Sequence, residues 1–484
     1  MDGLLIPLII GAPALGAAVA WALRTPRARG ALLLALAGVH AVAVGALWTR
    51  PGAEAFGGWL APDALGLIVL GLVSVLFAVV AQYAVSSWRD EAPRGGRAFV
   101  SCLLAFLAAA SVVALSQHLA LLWVGMESTT LAIAPLIYHR HDRRSLEAVW
   151  KYLVLSSVGI AFALLSIFLL ATAQPSDVGV RPLMLADLVA AGTRLDPAWL
   201  RIAVVFALVG FGTKMGLAPL HAWKPDTYGE APSLVAGLMS GVMTSCAFVG
   251  VARFTQIAVA AGLEGFIRPL LIAFGLISLV VAAAFILGQA DVKRLLAYSS
   301  VEQMGLLALG LGVGGVGTYG SVLHLVNNAL AKVLLFLVVG NLVLAAGSSV
   351  AADMRGMLRV RPASAVLLLA GLFAVTGAPP FGLFISEFAI ISGALHEHHP
   401  WVAAATVGLL AIIFVGIAAM IVNIAYGEPA PSGEQVPRLS RERAALVVGP
   451  ALLAGIVLLL GLHIPAALRD AVATAARSLG GGTP

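Results

Sequence analysis

The chain has 484 residues, of which 61% are hydrophobic and 11% charged, with a formal net charge of +6. A soluble domain carries roughly 25% charged residues, so this chain has too few to cover a water-facing surface, and its mean hydropathy is +1.01. Its two cysteines, Cys102 and Cys246, both sit in apolar stretches, which argues against a disulfide framework or a Cys-ligated metal site.

A membrane helix needs about 20 apolar residues. Blocks of that kind recur along the chain at roughly 4–23, 30–48, 64–85, 98–116, 119–138, 151–173, 200–220, 231–252, 266–288, 295–312, 318–345, 364–392, 401–425 and 444–462. The first, from Leu4 to Leu23, has no basic start and no clear cleavage site, so it reads as a retained helix and not a signal peptide. The expected fold is therefore an all-α integral membrane protein of about fourteen transmembrane helices. The longest aqueous stretch, 174–199, is broken by Pro175, Pro182, Gly192 and Pro197 and leaves no room for a soluble domain. Gly310 to Gly317 joins two spans and reads as a tight turn.

The basic residues test this helix assignment. Nineteen Lys and Arg fall in loops after odd-numbered helices, Lys224 among them, and eight fall after even-numbered helices or in the C-terminal tail. The positive-inside rule then puts the odd loops, including 139–150 and 353–361, in the cytoplasm and both termini outside. The net charge reads as topology and not as affinity for nucleic acid. Two cations remain, Lys214 and Lys332, and both lie inside proposed spans.

A charge at a helix centre costs about 2.5–3.5 kcal/mol on insertion scales and tends to mark an ion or proton route. Glu127 lies in LLWVGMESTTLAIAPLIY, Lys214 in VGFGTKMGLAPLHAW, Lys332 in HLVNNALAKVLLFLV and Glu387 in APPFGLFISEFAII, with Glu302 and His324 in or near spans as well. A structural ion pair or snorkelling explains any one of them but not four or more at similar depth. Two of the helices are broken beside their charge. Gly210, Gly212, Gly216 and Pro219 surround Lys214, and Gly377, Pro379, Pro380 and Gly382 precede Glu387. These helices are the seventh and twelfth, fourth in each of two five-helix halves, 98–253 and 264–426. That placement points to an ion site built on inverted repeats, with 1–97 as an N-terminal three-helix segment and 427–484 as helix 14 and a tail. Other chemistry has little support. The histidines lack haem spacing, HEHH at 396–399 reads as a wet interfacial loop, and no phosphate loop, dinucleotide fingerprint or nucleophilic triad is visible. No cofactor is expected.

Five segments carry a resemblance: LLWVGMEST with EAVWKYL, GTKMGLAPLHAWKPDTYGEAPS, DVKRLLAYSSVEQMG, HLVNNALAKVLLF and GAPPFGLFISEF. In this order, across about 60 to 425, they resemble the antiporter-like membrane subunits shared by respiratory complex I, Mrp-type sodium/proton antiporters and energy-converting hydrogenases. The stretch from Trp123 to Leu153 looks most like hydrogenase-4 component F. The resemblance implies fourteen helices, two inverted repeats and a hydrated polar axis across the middle of the membrane. It implies Glu127 and Lys214 as a coupled acid–base pair, Lys332 with His324 and Glu302 continuing the axis, and Glu387 as the terminal group. His221 and Asp226 match a loop motif that organises structure and access. The implied partners are other antiporter-like membrane subunits and a peripheral hydrogenase or complex I-like redox module, in a bacterial or archaeal cell membrane.

The sequence also departs from the family pattern. Relatives often carry a Lys near Ser245, where no Lys or His stands here, and Gln303 and Asn328 stand where relatives often have His. The axis would then run through waters held by Ser240, Thr244 and Ser245, or be weaker than in complex I. The expected function is proton translocation in a redox-driven complex of the hydrogenase-4 or formate hydrogenlyase type. The alternatives are a cation/proton transport subunit of the Mrp or complex I kind, or a non-conducting scaffold for a peripheral enzyme.

Overall fold

A computed structural model describes residues 4–50, 52–88, 96–175, 183–428 and 442–482. The loop cations Arg89, Arg94, Arg181, Arg438 and Arg441 lie outside the described residues. Among the described residues thirteen helices are long and apolar enough to cross a membrane. They are α1 (Leu5–Ala22), α2 (Pro26–Trp48), α3 (Ala64–Ser87), α4 (Gly96–Leu115), α5 (Leu119–Ile137), α6 (Arg143–Thr172), α7 (Pro197–Met215), α8 (Ser233–Ala260), α9 (Glu264–Ile286), α10 (Val292–Val313), α11 (Gly315–Ala346), α13 (Pro400–Tyr426) and α14 (Ala444–Leu462). The twelfth crossing comes in two shorter apolar pieces, α12a (Pro362–Val375) and α12b (Gly382–His396), separated at the expected break. Among the described residues there is no β-strand, so the fold is all-α.

Helix starts follow local chemistry more closely than the apolar runs do. Asp142 and Ser145 form a capping box, so α6 begins at Arg143 and not near 151. Asp63, Asp196 and Asp291 accept backbone N–H groups at the starts of α3, α7 and α10. Thr25 and Pro26 start α2 ahead of its apolar run.

Contacts between loops check the number of crossings. After even-numbered helices, Leu60 bridges Ser116, His118 bridges Met184 and Gly315 bridges Gly481. After odd-numbered helices, Asp291 bridges Val350 and Glu442 accepts from the amides of Ala363 and Ser364. A single missed or surplus crossing between two bridged loops would break that parity.

The centre of the bundle is α8, α10 and α11, whose apolar windows are 100%, 94% and 83% buried, against 28% for α1 and 33% for α13 and α14. A helix hydrophobic on all sides belongs in a core or in lipid, and these three are held in the core by neighbours on every face. Small residues let backbones approach. A Cβ on Gly210 would meet the Ala163 backbone at 2.5 Å, and one on Gly275 would meet the Gly305 carbonyl at 2.8 Å, so α6–α7 and α9–α10 pack without intervening side chains.

Among the described residues several shorter helices join or follow the spans, and the sequence reading did not anticipate three of them. Leu185–Ala191 lies in the 174–199 connector, and Trp223–Glu230 follows α7. α15 (Ala466–Ser478) is amphipathic, buries Val472, Ala475 and Ala476, and packs on α3 and α11.

Candidate functional site

The break after α7 is made by glycine. Gly216 takes φ +84°, a left-handed conformation that costs an L-residue strain, and its amide and that of Leu217 bond back to the Gly212 carbonyl. Ending a helix inside protein frees carbonyls that need donors. Trp223 Nε1 donates to the Thr213 carbonyl at 2.9 Å, and Lys224 Nζ donates to the Met215 carbonyl at 2.9 Å. Lys214, on the last turn, is wholly buried. Its Nζ donates to Thr130 Oγ1 at 2.6 Å and to the Tyr152 hydroxyl at 3.0 Å, and lies 4.6 Å from the centre of the Tyr152 ring.

The expected Glu127–Lys214 pair is not closed. Among the described residues no ion pair joins them, and the Lys214 ammonium donates to the two hydroxyls instead. Glu127 is half-buried on α5, and its Oε2 is enclosed without a hydrogen-bond partner. Thr130 and Tyr152 were missed in the sequence because neither is charged. Thr130 sits three residues beyond Glu127 on α5, and that spacing was the signal available.

The second half is built around α10, α11 and the α12 break. Lys332 Nζ donates to Ser299 Oγ at 2.6 Å, Ser299 Oγ donates to Glu302 Oε2 at 3.2 Å, and Gln303 Nε2 donates to Glu302 Oε1 at 3.1 Å. Gln303 Nε2 also reaches the Val375 carbonyl, freed where α12a ends, and Asn327 Nδ2 donates to the Gly382 carbonyl at 2.9 Å. His324 Nδ1 is 2.9 Å from Ser386 Oγ, one residue before Glu387. Glu387 is 7% exposed, and its Oε1 has no partner. Gly377, at φ +63°, faces the Glu387 carboxylate so closely that any Cβ there would collide with it. The structure thus brings Lys332, Glu302, His324 and Glu387 into one buried region, with Lys332 and Glu302 joined through Ser299.

Between the halves lie α8 and the short helix after α7. Residues Met239–Met243 of α8 form a π-helical turn, an irregularity often found at functional sites. Ser240, inside that turn, donates to Ser300 Oγ on α10 at 3.1 Å. Thr244 and Ser245 instead bond their own helix, to the carbonyls of Ser240 and Gly241. Lys224 corrects the sequence reading. It was counted as a loop charge, but it is 0% exposed, and Lys293, counted likewise, is 1% exposed with its Nζ on the Gly229 and Ala231 carbonyls, so both join Lys214 and Lys332 as buried lysines.

The loop motif sits at the mouth of this region. Asp226 pairs with Lys151 at 2.8 Å and with Arg294, tying together α6, the loop and α10. Burial would raise the Asp226 carboxyl, but its bonds to Lys151 and Arg294 outweigh burial and hold it below the usual range. Burial, then the nearby Lys224 charge, lowers the His221 imidazole, which stays neutral at pH 7. Arg144, Glu147, Asp226, Asp291 and Arg294 line an adjoining cleft of about 520 Å³.

Buried lysines and carboxylates strung across a broken-helix bundle invite comparison with known transport proteins. The family described as NADH:quinone oxidoreductase/Mrp antiporter, TM, matches residues 116–413. The chain belongs to this family. A hydrogenase-4 component F homolog from Methylacidiphilum infernorum (isolate V4) is 33% identical over 340 residues, covering 70% of this chain and 71% of that protein. NADH-quinone oxidoreductase subunit N from Desulforudis audaxviator (strain MP104C) is 29% identical over 485 residues, covering 95% and 94%. A chain of the Mrp complex from Dietzia sp. DQ12-45-1b superposes with TM-score 0.87 at 20% identity, covering 99% of this chain and 98% of that one. Each of the three is named as part of a larger assembly. This antiporter-like chain is accordingly a membrane-spanning subunit of that type.

Proposed function

We propose that this antiporter-like subunit translocates protons across a bacterial or archaeal cell membrane within a redox-driven complex of the hydrogenase-4 or formate hydrogenlyase type. The observation that carries the reading is the buried polar file that crosses the bundle. It runs from Glu127 and Lys214 with Thr130 and Tyr152, past Ser240 and Ser300, to Lys332, Ser299 and Glu302, and on to His324, Ser386 and Glu387. Hydroxyls and ionisable groups both line it, and each can pass a proton on. Both helix breaks open onto it, in keeping with two inverted repeats over 98–253 and 264–426. His221 and Asp226 govern access from the side rich in basic residues.

Burial disfavours a charged side chain and a neighbouring opposite charge favours it. The unclosed gap between Glu127 and Lys214 therefore gives a switch. When Glu127 swings toward Lys214 the ammonium is held, and when it withdraws the proton is released toward the middle of the bundle. Moving one charge across 100 mV involves about 2.3 kcal/mol, a size that such a rearrangement can match. The driving electron transfer belongs to partner subunits: a peripheral hydrogenase or complex I-like module, with further antiporter-like subunits beside it. The likeness of the stretch from Trp123 to Leu153 to hydrogenase-4 component F supports the hydrogenase arrangement, while overall identity does not separate it from a complex I one, at 33% against 34% for a subunit N.

The test is proton flux in vesicles reconstituted with the purified complex. Glu127→Gln, Lys214→Ala and Lys332→Ala should each assemble and lose most of the flux, with a nickel-iron protein among the co-purifying subunits. Normal flux in all three assembled variants would defeat the reading. A sodium requirement for flux would move the chain to the cation/proton antiporters.

A further inference from the structure

Lys224 is wholly buried, and nothing in the pathway described above uses its charge. It comes from the loop that follows the α7 break and turns back into the bundle. Gly216 makes room for it, since a Cβ at that position would lie 2.7 Å from Lys224 Cδ and 2.8 Å from Nζ. Its Nζ has one oxygen acceptor, the Met215 carbonyl at 2.9 Å. Among the described residues none of Lys214, Lys224 and Lys332 makes an ion pair.

The surroundings of Lys224 connect the two halves of the file. An aromatic row runs from Tyr152 to Trp223 (5.4 Å between ring centres), then Tyr228 (6.1 Å), then Phe336 (5.6 Å), one helical turn beyond Lys332. Tyr152 binds the Lys214 ammonium, and the Lys224 ammonium lies 5.7 Å from the centre of the Tyr228 ring. The Tyr228 hydroxyl is buried against the hydroxyls of Ser240 and Ser300, within their reach but without a hydrogen bond of full geometry. Ser300 neighbours Ser299, which holds Lys332. A fixed carbonyl is enough to anchor an amine, whereas an open hydroxyl next to a serine pair adds what a mere anchor does not need: an acceptor on the far side.

We propose that Lys224 is the middle proton carrier of the file, linking Lys214 to Lys332 through Tyr228 and the Ser240–Ser300 pair. The inference rests on the proton-transport reading above. In the transfer, the neutral Nζ amine gains a proton arriving from Lys214 and becomes an ammonium. It then gives one up toward the Tyr228 hydroxyl, whose oxygen accepts as its own O–H proton passes to the serines. No other bond changes. Lys224 would thus fill the central place where α8 offers only hydroxyls.

A structural clamp and a carrier differ in what replacement they tolerate. Glutamine keeps an N–H donor for the Met215 carbonyl but cannot titrate, and arginine keeps donor and charge but does not release its proton. Lys224→Gln and Lys224→Arg are introduced into the whole complex, with thermal stability and proton flux read on the same preparations, beside Lys214→Ala and Lys332→Ala. The expected result is near-native stability and at least a tenfold fall in flux for both Lys224 variants. Tyr228→Phe, which keeps the ring and removes only the hydroxyl, should fall with them. Retained flux in either assembled Lys224 variant, while Lys214→Ala and Lys332→Ala are inactive, overturns the middle-carrier role alone. Retained flux in all of them overturns the transport reading. Failure of both Lys224 variants to assemble, with Tyr228→Phe fully active, makes Lys224 a clamp and also overturns the proposal.

Discussion

At the scale of single residues, the open question is whether a buried charge holds the fold or serves transport. Glu387 has an unpartnered carboxylate oxygen and no cation within ion-pair range among the described residues. Glu387→Gln should therefore stop proton flux with little change in thermal stability, both measured on one purified variant. A structural pair would behave otherwise, stranding a buried cation at a cost of about 3–5 kcal/mol. Asp63 and Arg253 are such a pair. The guanidinium is 2% exposed and doubly bonded to the carboxylate at 2.6 and 2.7 Å. Asp63→Asn should cost about 3 kcal/mol at neutral pH, seen as a lower melting temperature, with transport per folded molecule unchanged. Burial pushes the Asp63 carboxyl up, but Arg253 outweighs it and brings the group below its ordinary 3.8. A depressed carboxyl stabilises fully above that ordinary value and loses its contribution as pH falls through the folded value. The gap between Asp63→Asn and the native chain should accordingly close in acid below about pH 4. Lys214, Lys332 and Glu387 were legible in the sequence because each interrupts an apolar run. Lys224 was not, because a charge between two helices looks the same whether its loop faces water or folds back inside. Thr130, Tyr152 and Tyr228 carry no charge to expose them.

At the scale of elements, the two breaks do different work for the same reason. Each leaves helix-end carbonyls inside the bundle that donors from elsewhere meet, Trp223 and Lys224 at the first and Gln303 at the second, where Asn327 also holds the start of α12b. Gly377→Ala should lose about 1–2 kcal/mol from the left-handed backbone alone. Its Cβ would also drive the Glu387 carboxylate away, so flux should fall with stability. Gly455→Ala is the control. It lies exposed within α14 with nothing near its would-be Cβ, and it should leave flux intact and raise stability by about 1 kcal/mol. Melting temperature and flux on both variants check the pair. Both breaks were readable from clustered Gly and Pro. The π turn in α8 was not, since one extra residue in a helical turn leaves no compositional trace in so apolar a stretch, and α15 was hidden because its amphipathic pattern is too polar for a span.

For the whole molecule, the loop contacts group ends that lie on the same side, and the basic residues predict that the odd side faces the cytoplasm. With the buried Lys224, Lys293 and Arg29 set aside on the odd side and the buried Arg253 on the even side, sixteen cations remain against seven, so the asymmetry persists. In a background lacking Cys102 and Cys246, Asp142→Cys should resist an impermeant thiol reagent added to intact cells, and Ala190→Cys should react. The opposite pattern would invert the topology. The fourteen crossings and their order were legible because apolar length and alternating loop charge are independent signals that agreed. The Asp63–Arg253 pair adds a matter of timing. Asp63 sits at the start of α3 and its partner near the end of α8, so at about 5–20 residues per second the carboxylate is synthesised on the order of ten to forty seconds before the arginine. For that interval α3 rests in the bilayer without the partner that fastens it, and the early helices depend on the insertion machinery or on one another. Translation speed through α4 to α8, and not only the finished contacts, then bears on how much of this protein reaches its folded form.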